Sequence, residues 1–231
     1  VKELKDMNSS QLAAAILQAD ESNMPRLRAM IFRAEDTHFT LEEDARLAPW
    51  LLKFAEKHRN SDSRDVVYSS IRTGASMLFP KDANKLYPLL QPGLYASNVA
   101  MKMMGRIFEA QPPTDIGQHK DLANNILKIL NQHIIDTQGS SEMSPTVFTI
   151  LTIHALVAMG CDLRYIPDAF LLYADTWVIK RLRHKLVELQ GIWVKKSVSE
   201  KVMANLKGVI ETLGNNSGLQ NDSATYNESK I

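Results

Sequence analysis

The chain has 231 residues, 45% hydrophobic and 23% charged, with a formal net charge of +1. It is long enough to bury a core unaided, as one large domain or two small ones, and its overall charge neither favours nor disfavours nucleic acid. A single cysteine, Cys161, excludes an internal disulfide framework, and no apolar run approaches the roughly 18 residues of a membrane span, so no membrane insertion is expected.

Helical signals follow one another along the chain. Residues 1–9 read as an extension. Ser9 or Ser10 opens a helix through Leu12, Ala15, Ile16 and Ala19, and Asn23 with Pro25 opens a second through Leu27, Met30, Ile31 and Ala34. Thr40 followed by Glu43 forms a capping box ahead of Leu47, Leu51, Leu52 and Ala55. Ser63, or Asp62, precedes Val66, Val67, Ile71, Ala75 and Leu78, and Pro80 cuts that helix.

A third pair covers 81–91 and 95–108, a fourth 119–137 and 145–159, and a fifth 163–173 and 176–189. A last helix over about 197–213 closes the array at Gly214, and 214–231 reads as a disordered polar tail. No segment alternates with period two, so strands are not expected. The connectors 111–118 and 137–144 exceed the others in length and are expected to project from one edge.

Pro49, Pro88 and Pro167 lie 39 and 79 residues apart, close to one and two periods of about 40. Such a period is the mark of stacked helical hairpins, and the expected fold is an all-α solenoid of about five hairpins with a C-terminal capping helix, spanning 10–213. The motifs Pro49-Trp50-Leu51-Leu52, Pro88-Leu89-Leu90 and Pro167-Asp168-Ala169-Phe170-Leu171-Leu172 resemble the first helices of HEAT/armadillo repeats. Small residues around Gly74, Gly105 and Gly160 resemble their second helices. In a different phase, Ser144 to Gly160 followed by Ile166 to Leu172 is similar to octotricopeptide-type repeats. Related repeats occur in organellar proteins resembling the Fas-activated serine/threonine kinase family, many of which act on RNA.

Charge separates the two helices of each pair. The second helices hold Arg26, Arg28, Arg33, Arg64, Arg72, Lys102, Arg106, Lys180, Arg181, Arg183 and Lys185 against only Asp65 and Glu188. In HEAT/armadillo repeats the second helices line the concave surface, so the resemblance implies a basic groove for RNA or an acidic peptide. The candidate anion-binding residues are Arg26, Arg33, Arg72, Lys102, Arg106, Lys180, Arg181, Arg183 and Lys185. The plainer reading makes the arginines a structural ladder, paired with acids of neighbouring helices.

Charge is densest from Lys180 to Lys207, where eight cations face Glu188 and Glu200. There Val178, Leu182, Leu186, Leu189 and Trp193 fall on one arc of a helical wheel, with Lys180, Arg181, Arg183 and His184 on the rest. No outward apolar anchors are evident, which argues against a membrane-surface role.

Signals for catalysis are weak. The six histidines lie far apart, His133 and His154 facing each other at best across one hairpin. Cys161 would need a neighbouring base to serve as a nucleophile, and Glu42-Glu43-Asp44 fits a helix first turn. Met103, Met104, Trp50, Trp177 and Trp193 read as packing residues. DNA alkylpurine glycosylases are HEAT-like and similar in length, but their acidic and aromatic constellation does not map onto this chain. Neither a cofactor nor a metal is called for.

The expectation is therefore a non-enzymatic scaffold, a subunit or adaptor working through protein contacts, with RNA binding as the alternative. The lone cysteine suits an intracellular location, cytoplasmic or organellar, and mitochondrial if a transit peptide preceded Val1. The Asn-x-Ser triplets, Asn8-Ser9-Ser10 among them, read as chance matches in an Asn/Ser-rich chain.

Overall fold

The computed structural model describes residues 3–78, 82–90, 95–137, 143–162 and 176–216. All regular structure among these residues is helical, with no strand. The chain divides into two compact units, Val1–Ile107 and Phe108–Ile231.

In the first unit a short 3₁₀ turn, Leu4–Asp6, leads to α1 (Ser9–Leu17). The cap of α1 is Asn8 rather than a serine. Its side chain accepts from Gln11 N at 2.9 Å while Gln11 Oε1 accepts from Asn8 N at 3.1 Å. That reciprocal pair satisfies two otherwise orphaned N–H groups, and a serine one or two residues later could not reach the same donors. Ser10 donates instead to Glu43 Oε1 at 2.8 Å.

The next caps are the expected ones. Asn23 caps α2 (Met24–Glu35) with Pro25 in its first turn, and the Thr40–Glu43 capping box opens α3 (Leu41–Lys57). Helix α4 (Arg64–Met77) begins after Ser63 and lies between its neighbours, burying Val66, Val67, Ser70, Ile71, Gly74, Ala75 and Met77. A Cβ on Gly74 would meet the Leu52 side chain at 3.1 Å, so the missing side chain lets α3 and α4 approach closely. Ser70, fully buried, donates to Val66 O at 2.7 Å and leaves no unmet hydroxyl.

The helix expected over 81–91 is a 3₁₀ helix, Ala83–Leu89, capped by Asp82. Pro88 lies inside it and has no N–H for an α-type bond; Leu90 N bonds to Tyr87 O at 3.0 Å, an i to i+3 contact. Pro49, by contrast, sits within the α-helix α3. The two described members of the proline series thus occupy different local structures. Pro167 lies outside the described residues, as do Pro80, the 138–142 connector, the 163–173 helix of the expected fifth pair and residues 217–231. Helix α5 (Tyr95–Ala110) runs across the boundary between the units.

In the second unit the 111–118 connector does not project. Gly117 N donates to Gly160 O at 3.0 Å, and a Cβ on Gly160 would fall 3.0 Å from Pro113 Cγ. Both glycines have positive φ, +77° and +79°, which lets the two chain reversals nest. Helices α6 (Lys120–Thr137) and α7 (Met143–Ala158) pack together, α8 (Thr176–Val194) packs on α7, and α9 (Glu200–Asn216) packs on α8.

Helix α7 is buried over nearly its whole circumference from Phe148 onward, including Met159 and Cys161 just beyond it. Helix α8 is longer than the expected 176–189 because its apolar arc continues to Trp193, whose indole donates to Glu109 O at 3.2 Å. Gly214 does not end α9. It lies inside the helix, where a Cβ would approach Arg183 Nε at 3.4 Å, so it serves close contact with α8 rather than a C-cap.

Candidate functional site

The expected basic residues divide between the units and have different surroundings. In the first unit, Arg72 on α4 is half-buried and ion-paired with Glu35 of α2, its guanidinium 5.8 Å from the Tyr68 ring centroid. Arg28 mirrors it from α2, pairing with Asp65 of α4 and lying 5.3 Å over Phe32. Arg33 Nη2 donates to Met7 O at 2.6 Å, and its Nη1 is buried without a partner among the described residues. These three arginines tie elements together: Arg72 and Arg28 each pair with an acid of a neighbouring helix, and Arg33 holds the Met7 carbonyl.

Arg26 is exposed and lines a 310 Å³ pocket with Gln18, Asp20 and Asn23, where Asp20 supplies an opposing charge. Lys102 is half-buried and Arg106 exposed on α5.

In the second unit the surface of α8 is different. Lys180, Arg181 and Arg183 are exposed and make no ion pair with any described residue, while Lys185 is half-buried. Val178, Leu182, Leu186, Leu189 and Trp193 are buried as the wheel requires. Burying each such side chain contributes about 1.5–3 kcal/mol, so the inner face alone anchors the helix. Not all of the outer cations stand clear of neighbouring structure: Arg183 Nε lies 3.4 Å from where a Cβ on Gly214 of α9 would stand. His184 reaches only its own-helix neighbour, Glu188 Oε1, at 3.2 Å.

The outer face also carries apolar residues, contrary to the sequence expectation. Trp177 is 49% exposed, Val187 42%, Ile192 37% and Val194 70%. Trp177 is thus not a packing residue; the Arg181 guanidinium lies 5.6 Å over its ring. Trp50 is also only half-buried, stacked parallel on Phe54 with centroids 5.5 Å apart, whereas Trp193, Met101, Met103 and Met104 are core. The signal for the apolar outer residues was available in the sequence: the same wheel, continued past Leu189 to Val194, places Val187, Ile192 and Val194 off the buried arc.

Cys161 does have a base nearby. With His119 it lines a cavity of about 10 Å³, room for about one water. Burial, aided by Asp162, pushes the thiol up to about 12, so it stays protonated and non-nucleophilic near neutrality. His154 is buried against the Glu109 side chain, its Nε2 4.0 Å from Oε1, and burial followed by the Lys185 charge holds it down at about 4. His133 packs edge-on against Phe148 at 4.8 Å. Glu43 of the acidic triplet is occupied by the capping box and by Ser10. No helix among the described residues is long and apolar enough to cross a membrane.

No protein-family model, curated protein or solved structure matches the chain.

Proposed function

We propose that this protein is a non-catalytic helical binding module, a scaffold or adaptor whose partner is an acidic protein met by the outer face of α8. One contrast carries the reading. Arg28 and Arg72 are matched to acids of neighbouring helices, while Lys180, Arg181 and Arg183 have no acidic partner among the described residues. Like charges clustered along the exposed surface of one helix raise a positive potential that attracts an acidic surface and speeds encounter with it.

Protein is favoured over RNA because one stripe of α8 carries Lys180 and Arg183 together with the exposed Val187 and Val194. A phosphate backbone uses the cations alone, whereas a protein surface uses both. RNA binding is the second reading, supported by Trp177, whose exposed ring beside Arg181 offers a stacking surface for a base.

Native copurification of the full chain, with identification of bound protein and RNA, tests the reading. An acidic protein should be retained by the wild type and lost from a Lys180→Glu/Arg181→Glu/Arg183→Glu variant of unchanged helix content. Retention of RNA in its place, with a steep loss as salt rises, would move the assignment to the second reading. Turnover of a small substrate by the isolated chain would reject both.

A further inference from the structure

A cleft of about 730 Å³ opens in the first unit, where the second half of α3 meets Glu21 of the α1–α2 connection. Its volume lies within the range of about 300–1,000 Å³ usual for small-ligand sites. Trp50 forms part of the wall and is only half-buried. One face of its indole is stacked on Phe54, with 5.5 Å between centroids and 5° between planes. Phe54 in turn packs on His58 at 4.5 Å, and His58 Nε2 lies 3.0 Å from Glu21 Oε2. The indole is thereby backed by a column of rings pinned at its far end, and the part that Phe54 leaves uncovered borders the cleft.

The charged residues of the same wall divide in two. Lys57 is accounted for: its Nζ is 2.6 Å from Glu21 Oε2, and it stands in the last turn of α3, where a cation complements the helix dipole. Lys53 has neither role. It is exposed, lies one turn before Lys57 and forms no ion pair with any described residue. Three positions from Trp50 and four from Lys57, it shares one stripe of the helix with both. Arg59, half-buried just beyond the helix, and Glu56 also line the cleft without an ion partner among the described residues.

Each of these groups answers to a different part of one ligand. A half-exposed indole stacks on a planar ring. Two unpaired cations match a group of more than one negative charge, and a free carboxylate accepts from a hydroxyl or an amine. We propose that the cleft binds a nucleoside phosphate, with the base on Trp50, the phosphate at Lys53 and Arg59, and Glu56 accepting from a ribose hydroxyl or an exocyclic amine. A free nucleotide and one nucleotide of a single-stranded RNA offer the same chemistry. The site lies in the first unit and requires nothing of α8.

The test uses the full chain with adenosine monophosphate as the probe. Equilibrium dialysis measures affinity, and the nitrogen-labelled indole N–H resonances locate the ligand. The Trp50 resonance should move on titration while that of Trp193, which is core, stays in place. Adenosine and ribose phosphate should each bind about tenfold more weakly than the monophosphate, since each lacks one half of the match. Lys53→Glu, at an exposed position, should weaken the monophosphate about tenfold and leave adenosine unchanged. Trp50→Leu, which keeps apolar bulk against Phe54, should weaken both about tenfold.

A strand of about eight adenylates that binds more than about tenfold tighter than the monophosphate, and loses that gain in Trp50→Leu, assigns the nucleotide to RNA. A monophosphate within about tenfold of the strand assigns it to the free form. Absence of saturable binding, or equal affinity for adenosine, ribose phosphate and the monophosphate, overturns the site. So does free tryptophan binding as tightly as the monophosphate, because a ring with a carboxylate and an ammonium would then satisfy the cleft. Movement of the Trp177 resonance in place of that of Trp50 would put the base on α8 and overturn the proposal as well.

Discussion

Arg72 of α4 forms an ion pair with Glu35 of α2 while its guanidinium lies over the Tyr68 ring, and Arg28, over Phe32, repeats the arrangement with Asp65 in the opposite sense. Each helix thus supplies one arginine and one acid to the same seam. Part of the worth of such a pair is the packing of the guanidinium stem and plane, so loss of the arginine removes more than charge.

Arg72→Ala should therefore lower stability by about 1 kcal/mol, and a double-mutant cycle with Glu35→Ala should return a coupling of about 0.5–1 kcal/mol. Urea unfolding of the four proteins measures both. A Lys180→Glu variant is the contrast, expected within about 0.5 kcal/mol of wild type because Lys180 is exposed and has no ion partner among the described residues. If Arg72→Ala leaves stability unchanged, the ladder assignment of that seam is wrong.

The helix pattern is legible in the sequence where apolar periodicity meets a cap, at Asn23 and at Thr40 with Glu43, and by periodicity alone over 120–137 and over 176–189 of the helix that runs on to Val194. Two kinds of feature are not. Glycine signals a chain reversal and a close contact with the same letter, so Gly214 read as a terminus until the position of Arg183 was known. Arginine likewise reads the same whether it is paired or free. Only the three-dimensional placement of Glu35 and Asp65 separates Arg72 and Arg28 from Lys180, Arg181 and Arg183. The proline period illustrates a third limit, since Pro49 is taken up within an α-helix while Pro88 goes with a 3₁₀ helix.

Gly160 and Gly117 offer a paired test of the nested reversals. Both have positive φ, which costs an L residue about 1 kcal/mol or more. A Cβ at Gly160 would also crowd Pro113 Cγ at 3.0 Å and Asp115 O at 3.3 Å, whereas one at Gly117 meets nothing within 4 Å. Gly160→Ala should accordingly destabilise by about 2–3 kcal/mol and Gly117→Ala by about 1 kcal/mol. Equal melting temperatures for the two variants would show that Pro113 yields freely.

Cys161 should be chemically silent in the folded protein. Its thiol is buried and pushed up to about 12, first by burial and then by Asp162. A disulfide exchange reagent at about pH 8, close to the ordinary thiol pKa, should react slowly in buffer and fast in denaturant. Fast labelling in buffer would reopen the nucleophile reading with His119 as its base.

Acid should weaken the second unit through His154. Burial first, and the Lys185 charge second, hold this imidazole at about 4, below the ordinary 6.5. The unfolded chain therefore binds more protons between about pH 6.5 and pH 4, and stability falls as pH drops through that window. A difference of about 2.5 pKa units corresponds to about 3 kcal/mol, complete near pH 4. His119, depressed by its own burial, acts in the same direction. Glu21 of the first unit, depressed by its bonds to Lys57 and His58, adds a loss that begins lower, as pH falls below the ordinary carboxylate range. His154→Gln should flatten the limb between pH 6.5 and 4 while leaving the lower one. Lys185→Met should shorten the upper limb only in part, because burial is the larger cause and remains. Urea unfolding across pH 4–8 reads these slopes directly, and an unchanged upper limb in His154→Gln would remove His154 as its source.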